Sequence, residues 1–215
     1  MVNRLLQYEM LKMTVGQFYR RGNVMIEGIE FTVREKALYL AAYELFTEKG
    51  ITETAINDIV KKAGVAKGTF YTYFKNKEDI LERIILNKSM KVLDEAMTVT
   101  KEQEVADFNE RLFLFIDYII EYFKKDPLML KLIHKNLSWG LFRKTRPHYQ
   151  EMDAIYLMFK KEYQDKNMTE LEIESLLFMI VDLVGSVCYH SIISEEPAPI
   201  DEMKPILFKT VENII

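Results

Sequence analysis

Cysteine is nearly absent from this 215-residue chain. Cys188 stands alone, which excludes an internal disulfide and fits a reducing cytosol. Its expected role is that of a small buried apolar side chain. Glycine and proline are scarce, at 8 and 5, while Leu, Ile, Met, Lys and Glu abound, a composition that suits an all-helical protein. The three histidines, His134, His148 and His190, share no metal-ligand spacing with one another or with Cys188, so no metal site is expected. There is no nucleophile elbow, no phosphate-cradling glycine loop and no dinucleotide fingerprint, which argues against an enzyme and against a bound cofactor. The N-terminus lacks a basic start followed by a clean apolar run, so no secretory signal is read. No internal repeat or low-complexity tract occurs. The length predicts one large or two modest domains, with ample chain to bury a core.

The most informative stretch runs from Thr52 to Lys77, TETAINDIVKKAGVAKGTFYTYFKNK. It predicts two short helices joined by a tight turn. Ile56, Ile59 and Val60 make an apolar face at helical spacing, flanked by Ala55 and Ala63. Thr54 is placed to cap the first helix through its hydroxyl. Gly64 ends that helix, because glycine enters the left-handed conformation without steric cost. Val65 buries after the turn, and a second helix starts around Ala66. This is the pattern of a helix-turn-helix, whose second helix lies in the DNA major groove. Between Ala55 and Lys77 five lysines (61, 62, 67, 75 and 77) face one acid, Asp58, a net of +4. The rest of the chain, 24 basic against 32 acidic residues, carries −8. One basic island on an acidic protein fits phosphate contact on a single face. Phe70 and Phe74, four apart, should pack inward. Tyr71 then faces outward beside Lys67 and Thr69, offering hydroxyl and ammonium groups, and Gly68 permits close backbone approach.

The segment AAYELFTEKGITETAINDIVKKAGVAKGTFYTYFKNKEDIL, within about Arg34 to Ile84, resembles the DNA-binding domain of the tetracycline-repressor (TetR) family of bacterial transcription regulators. The resemblance covers roughly a quarter of the chain. By position it implies that Thr54, Tyr73 and Lys77 contact phosphates. It likewise implies that Lys67, Gly68, Thr69, Tyr71 and Thr72 face bases or line the groove. Ala66 departs from the family, which often places serine or threonine there as the cap of the recognition helix.

Three regions are expected in chain order: an N-terminal extension over 1–31, a helix-turn-helix DNA-binding domain over 32–78, and an effector-binding and dimerisation domain over 79–215. In the extension, Leu5, Tyr8, Leu11, Val15 and Phe18 fall near helical spacing, and Arg20-Arg21-Gly22-Asn23 reads as a turn. Arg20 and Arg21 are read as a solvated pair, with a minor-groove arm as the alternative. Thr32-Val33-Arg34-Glu35 is a capping box opening a scaffold helix with Leu38, Ala41, Ala42, Leu45 and Phe46 inward and Gly50 at its end. Asn76 caps a fourth helix running to about Thr98, placed to act as a lever between sensing and binding. A polar stretch, 98–104, marks the domain boundary.

Beyond it, helices are expected over Val105–Lys125, Leu128–Phe142, His148–Asp165, Met168–Glu195 and Ile200–Ile215, with a basic loop over 143–147. Leu112 to Phe123 is apolar nearly all round, so Asp117 within it needs a partner, a cavity or a ligand. An effector pocket is expected there, with Asp117 joined by Tyr118, Tyr122, Trp139 and Tyr156; the family resemblance implies the pocket and the aromatic composition only permits it. A buried aspartate satisfied by a tyrosine or lysine is the equal alternative. Leu176 to Ile193 is long enough to raise a membrane span. Asp182 inside it, with Gly185 and Ser186, favours a subunit interface, so no membrane partner is expected.

The expected architecture is all-α: an N-terminal three-helix helix-turn-helix domain followed by a C-terminal helical bundle for ligand binding and dimerisation. The expected function is a cytoplasmic, homodimeric transcription regulator, most simply a repressor, bound to pseudo-palindromic double-stranded operator DNA and released by a small hydrophobic effector. Release requires that the effector prefer the conformation that binds DNA poorly. The rival is an all-helical enzyme or small-molecule carrier with a coincidental helix-turn-helix.

Overall fold

The computed structural model describes residues 23–26, 29–136 and 150–215. Among these, nine α-helices carry almost all of the regular structure, as the composition predicts. They are α1 (Val33–Lys49), α2 (Ile56–Ala63), α3 (Lys67–Tyr73), α4 (Lys77–Glu102), α5 (Phe108–Lys125), α6 (Pro127–Asn136), α7 (Gln150–Tyr163), α8 (Glu170–Tyr189) and α9 (Ile200–Ile214). Before them stands an antiparallel hairpin of β1 (Asn23–Ile26) and β2 (Ile29–Thr32), with Asn23 opposite Thr32 and Ile26 opposite Ile29. The sequence reading had no strand there. The missed signal is the alternation of Val24 with Ile26 and of Ile29 with Phe31, a period of two. The helix expected between Leu5 and Phe18, Arg20, Arg21, the loop 143–147, His148 and Trp139 lie outside the described residues.

The chain forms two compact units, Met1–Asn87 and Lys88–Ile215. The division falls within α4, which continues four residues past the expected Thr98 end. The polar stretch 98–104 is therefore helical for most of its length and does not mark the boundary.

In the first unit β2 leads directly into α1 through Thr32. The Thr32 hydroxyl accepts from the Glu35 amide at 3.2 Å and the Glu35 carboxylate accepts from the Thr32 amide at 3.4 Å. That is the predicted capping box. Phe31, Leu38, Ala42, Ile59, Phe70, Ile80 and Ile84 are fully buried and form the core of this unit. α1 stops at Gly50, whose φ of +87° suits only glycine without strain.

The second unit builds its own core. Phe108 meets Phe159 edge-on at 5.3 Å and Tyr163 at 5.8 Å. α5 starts at Phe108, three residues later than predicted, behind its cap Asp107, whose carboxylate accepts from the Glu110 amide at 2.9 Å. α8 opens on a capping box of Thr169 and Glu172 and buries Ile173, Leu176, Leu177, Ile180, Val184 and Cys188 as one stripe. The segment Glu170–Ser194 has the length and the mean hydropathy, 1.9, of a membrane span; Asp182 within it is exposed.

Candidate functional site

The helix-turn-helix is built from short pieces that cannot stand alone, so each end matters. The cap of α2 is Ala55, not Thr54: the Asp58 carboxylate accepts from the Ala55 amide at 3.1 Å and also receives the Lys49 ammonium at 2.7 Å. These two bonds hold the Asp58 carboxyl below its ordinary range. Thr54 is buried, at 1 % exposure, and its hydroxyl donates to the Gly50 carbonyl at 2.7 Å. Its side chain thus ties the end of α1 to the start of α2 instead of facing solvent. The turn follows the expected form. Gly64 is left-handed (φ 66°, ψ 31°), its amide donates to Lys61 and the Val65 amide donates to Val60, the paired bonds of a Schellman end.

α3 is locked from behind. Phe70 and Phe74 are 0 % and 2 % exposed, with ring centroids 5.6 Å apart. Ala66 supplies no side-chain cap, as its methyl group dictates. Outward stand Lys67, Gly68, Tyr71 and Thr72, all exposed, with Thr69 and Tyr73 half-buried at the flanks. Tyr71 is 53 % exposed and rests edge-on against the Phe70 ring at 5.4 Å. The Thr72 hydroxyl donates to the Gly68 carbonyl at 3.2 Å. A Cβ at Gly68 would meet no atom within 4 Å, and its backbone is not left-handed, so nothing inside the chain demands glycine there.

The basic island is smaller than its lysine count. Lys62 bridges to Glu44 at 2.8 Å and Glu48 at 3.7 Å on α1; the Glu44 bond leads in holding its ammonium above the ordinary range. Lys77 donates to the carbonyls of Ile51 at 2.7 Å and Thr54 at 3.0 Å, fixing the start of α4 to the loop before α2. Lys61, Lys67 and Lys75 remain on the exposed surface. Behind them the Arg83 guanidinium sits 5.4 Å from the Phe31 ring and 5.8 Å from Phe74, paired with Glu35. This residue was not singled out from sequence.

In the second unit a cavity of about 240 Å³ lies among α4, α5, α6, α7 and α8. α5 contributes Leu112, Phe115, Ile116, Ile119 and Phe123, and α8 contributes Leu177, Phe178, Ile180, Val181, Asp182 and Val184 to Ser186. Its few polar side chains are Ser89, His134, Asp182 and Ser186. Of the residues expected to line an effector pocket, Asp117, Tyr118, Tyr122 and Tyr156 are not in this lining, and Trp139 lies outside the described residues. Asp117 forms an ion pair with Lys204 of α9, which also holds Glu121 at 3.2 Å. Burial alone would raise the Glu121 carboxyl, but Lys204 and Lys124 outweigh it and hold it low. The Tyr118 hydroxyl donates to Glu95 at 2.9 Å. Neither these residues nor Tyr122 and Tyr156 line the cavity, which takes the opposite stripe of α5. Among the described residues no cluster of His, Cys, Asp or Glu could hold a metal ion.

Residues 38–84 match the family model of bacterial regulatory proteins, tetR family. The chain is 33 % identical over 131 residues to the uncharacterised HTH-type transcriptional regulator YhgD of Bacillus subtilis, a match covering 60 % of this chain and 65 % of that relative. Among solved structures it resembles the transcriptional regulator FadR of B. subtilis in complex with stearoyl-CoA (TM-score 0.59, 21 % identity, 84 % of this chain and 98 % of that one). It also resembles Thermus thermophilus FadR, a repressor in complex with lauroyl-CoA (TM-score 0.60, 18 % identity, 84 % and 94 %).

Proposed function

We propose, for a chain that belongs to the tetR family of bacterial regulatory proteins, that it represses transcription by binding operator DNA as a dimer and lets go when a small apolar effector enters the cavity of the second unit. The observation that carries this reading is α3 itself. Its two aromatic anchors are wholly buried, while Lys67, Gly68, Tyr71 and Thr72 form one exposed face. Such a face offers an ammonium, two hydroxyls and a bare backbone to phosphates and base edges. Tyr73 joins from the flank. Thr54 and Lys77 act as frame residues that hold the reader at its angle.

Dimerisation would use α8 and α9. Leu171, Met179 and Val181 on α8 and Ile206 and Ile214 on α9 are 41–72 % exposed, an unusual density of bare apolar side chains. A two-fold dimer presents two readers to two half-sites, hence a pseudo-palindromic operator. This use of α8 also accounts for its hydropathy without a membrane, in a cytoplasmic protein. The cavity walls are apolar, and two FadR proteins of the same fold hold acyl-CoA, so acyl chains are the first effectors to try.

The test is selection of bound genomic fragments, followed by titration of the recovered duplex at several salt concentrations and then with acyl-CoA of graded length. The affinity should fall steeply with salt. Lys67→Ala should lower the salt slope by about one unit, or relax sequence preference if it reads a base; Tyr71→Ala should weaken binding with the fold intact. Parent-like binding by both variants at matched salt would refute the reader assignment.

A further inference from the structure

The wall of the cavity in the second unit contains a hydroxyl that the fold does not use. Ser89 is 6 % exposed, and its Oγ has no protein hydrogen-bond partner. At other positions on the described helices a threonine hydroxyl settles on the carbonyl one turn back, whereas the buried Ser191 hydroxyl, like that of Ser89, has no partner. Thr47 donates to Tyr43 at 2.9 Å, Thr100 to Ala96 at 2.7 Å and Thr210 to Ile206 at 2.9 Å. Ser89 has the same option on α4 and does not take it. A buried hydroxyl left in this state is costly, and alanine would avoid the cost. Such a residue at a cavity wall is what a binding site leaves behind when its partner is a ligand.

We infer that Ser89 reads the polar group of the part of the effector held in the cavity, and that this part is a neutral, medium-length apolar chain bearing one carbonyl or hydroxyl. The inference rests on the effector-cavity reading above. Apart from Ser89, His134, Asp182 and Ser186 the described lining is apolar, and among the described residues it includes no lysine or arginine. An ionised head group would therefore stand uncompensated beside Ser89, whereas a neutral acceptor needs only the hydroxyl. Size narrows the class further. A 150 Å³ apolar cavity accepts benzene, so by proportion about 240 Å³ accommodates about ten carbons. The titratable side chains in the described lining, His134 and Asp182, are both exposed, so they leave the interior to a neutral functional group.

Three ten-carbon probes separate the possibilities: 2-decanone, 1-decanol and n-decane. Their binding to the 215-residue chain is read by isothermal titration calorimetry, with thermal melting in parallel. The parent should prefer 2-decanone and 1-decanol to n-decane by about tenfold, the value of one neutral hydrogen bond. Ser89→Ala should bind all three alike, and without ligand should melt no lower than the parent. Ser89→Thr, which keeps the hydroxyl, should keep the preference. If the tenfold preference survives in Ser89→Ala, Ser89 is not the reader, and the effector cavity stands without it. If none of the probes binds the parent, both the inference and the cavity reading fall. The DNA-reading assignment is tested separately and is unaffected by either result.

Discussion

The Arg83 guanidinium meets the Glu35 carboxylate at 2.5 Å, and the second oxygen of the same carboxylate accepts from the Thr32 amide that opens α1. One side chain therefore caps a helix and anchors a cation that lies against the Phe31 and Phe74 rings. Because Phe74 closes α3, this pair braces the back of the reader helix. Glu35→Ala removes both the cap and the partner and should cost about 2 kcal/mol in urea unfolding. Arg83→Met leaves the cap and should cost less. An unchanged midpoint in Glu35→Ala would show that the pair carries no stability.

Gly68→Ala should separate folding from DNA reading. Space for the new methyl group is open and the backbone is ordinary, so stability should hold or rise by up to about 1 kcal/mol. Operator affinity should drop at least tenfold if Gly68 lies against the DNA backbone. Retained affinity in filter binding or anisotropy would show that the glycine is incidental.

Asp117→Asn should change little. Its side chain is 39 % exposed and its partner Lys204 also has Glu121, so the loss should stay below about 1 kcal/mol. Ligand-induced release should match the parent, because Asp117 does not line the cavity. A blunted response with unaltered folding would return Asp117 to the effector site.

Met179→Glu places a charge on the bare face of α8, where the methionine is 52 % exposed. Sedimentation should show the parent as a dimer at micromolar concentration and the variant as a monomer with a similar melting temperature. A parent that sediments as a monomer removes the dimer from the proposal.

Burial pushes the Cys188 thiol up to about 12. From about pH 9 to 12 the unfolded chain would release this proton while the folded chain keeps it, so the residue lowers stability as pH rises through that window and has no effect below it. Iodoacetamide at pH 8 should leave the native chain unlabelled and label it in denaturant. Rapid native labelling would contradict the burial.

Much of the reader was legible because its signals are local. Gly64 and Val65 announce the Schellman end, Thr32 and Glu35 the capping box, and Phe70 and Phe74 their inward pairing, all within a few residues. Thr54 was misplaced because two adjacent positions compete to cap α2, and its hydroxyl instead donates to the carbonyls of Gly50 at 2.7 Å and Leu45 at 3.4 Å at the end of α1. The hairpin escaped because four-residue strands give only two periods of alternation. Asp117 illustrates the harder limit. The row Phe113, Asp117 and Glu121 looked stranded in an apolar helix, yet it faces Phe208 and Lys204 of α9, more than eighty residues downstream. Nothing near Asp117 in sequence announces that partner. The stripe that does line the cavity, Leu112 to Phe123, was read as apolar, but no local pattern tells which stripe faces a void.

The way α3 is fastened has a consequence for how such a chain diversifies. Phe70 and Phe74 are the buried anchors of this seven-residue helix, while Lys67, Tyr71 and Thr72 are exposed, Tyr71 resting on the Phe70 ring. On the proposed role of α3 as reader, stability and sequence preference are written in separate letters of the same short word. Duplicated copies of the gene could then exchange Lys67, Tyr71 or Thr72 and acquire new target sites while the domain keeps folding, so that drift in specificity would meet little resistance from the scaffold that displays it.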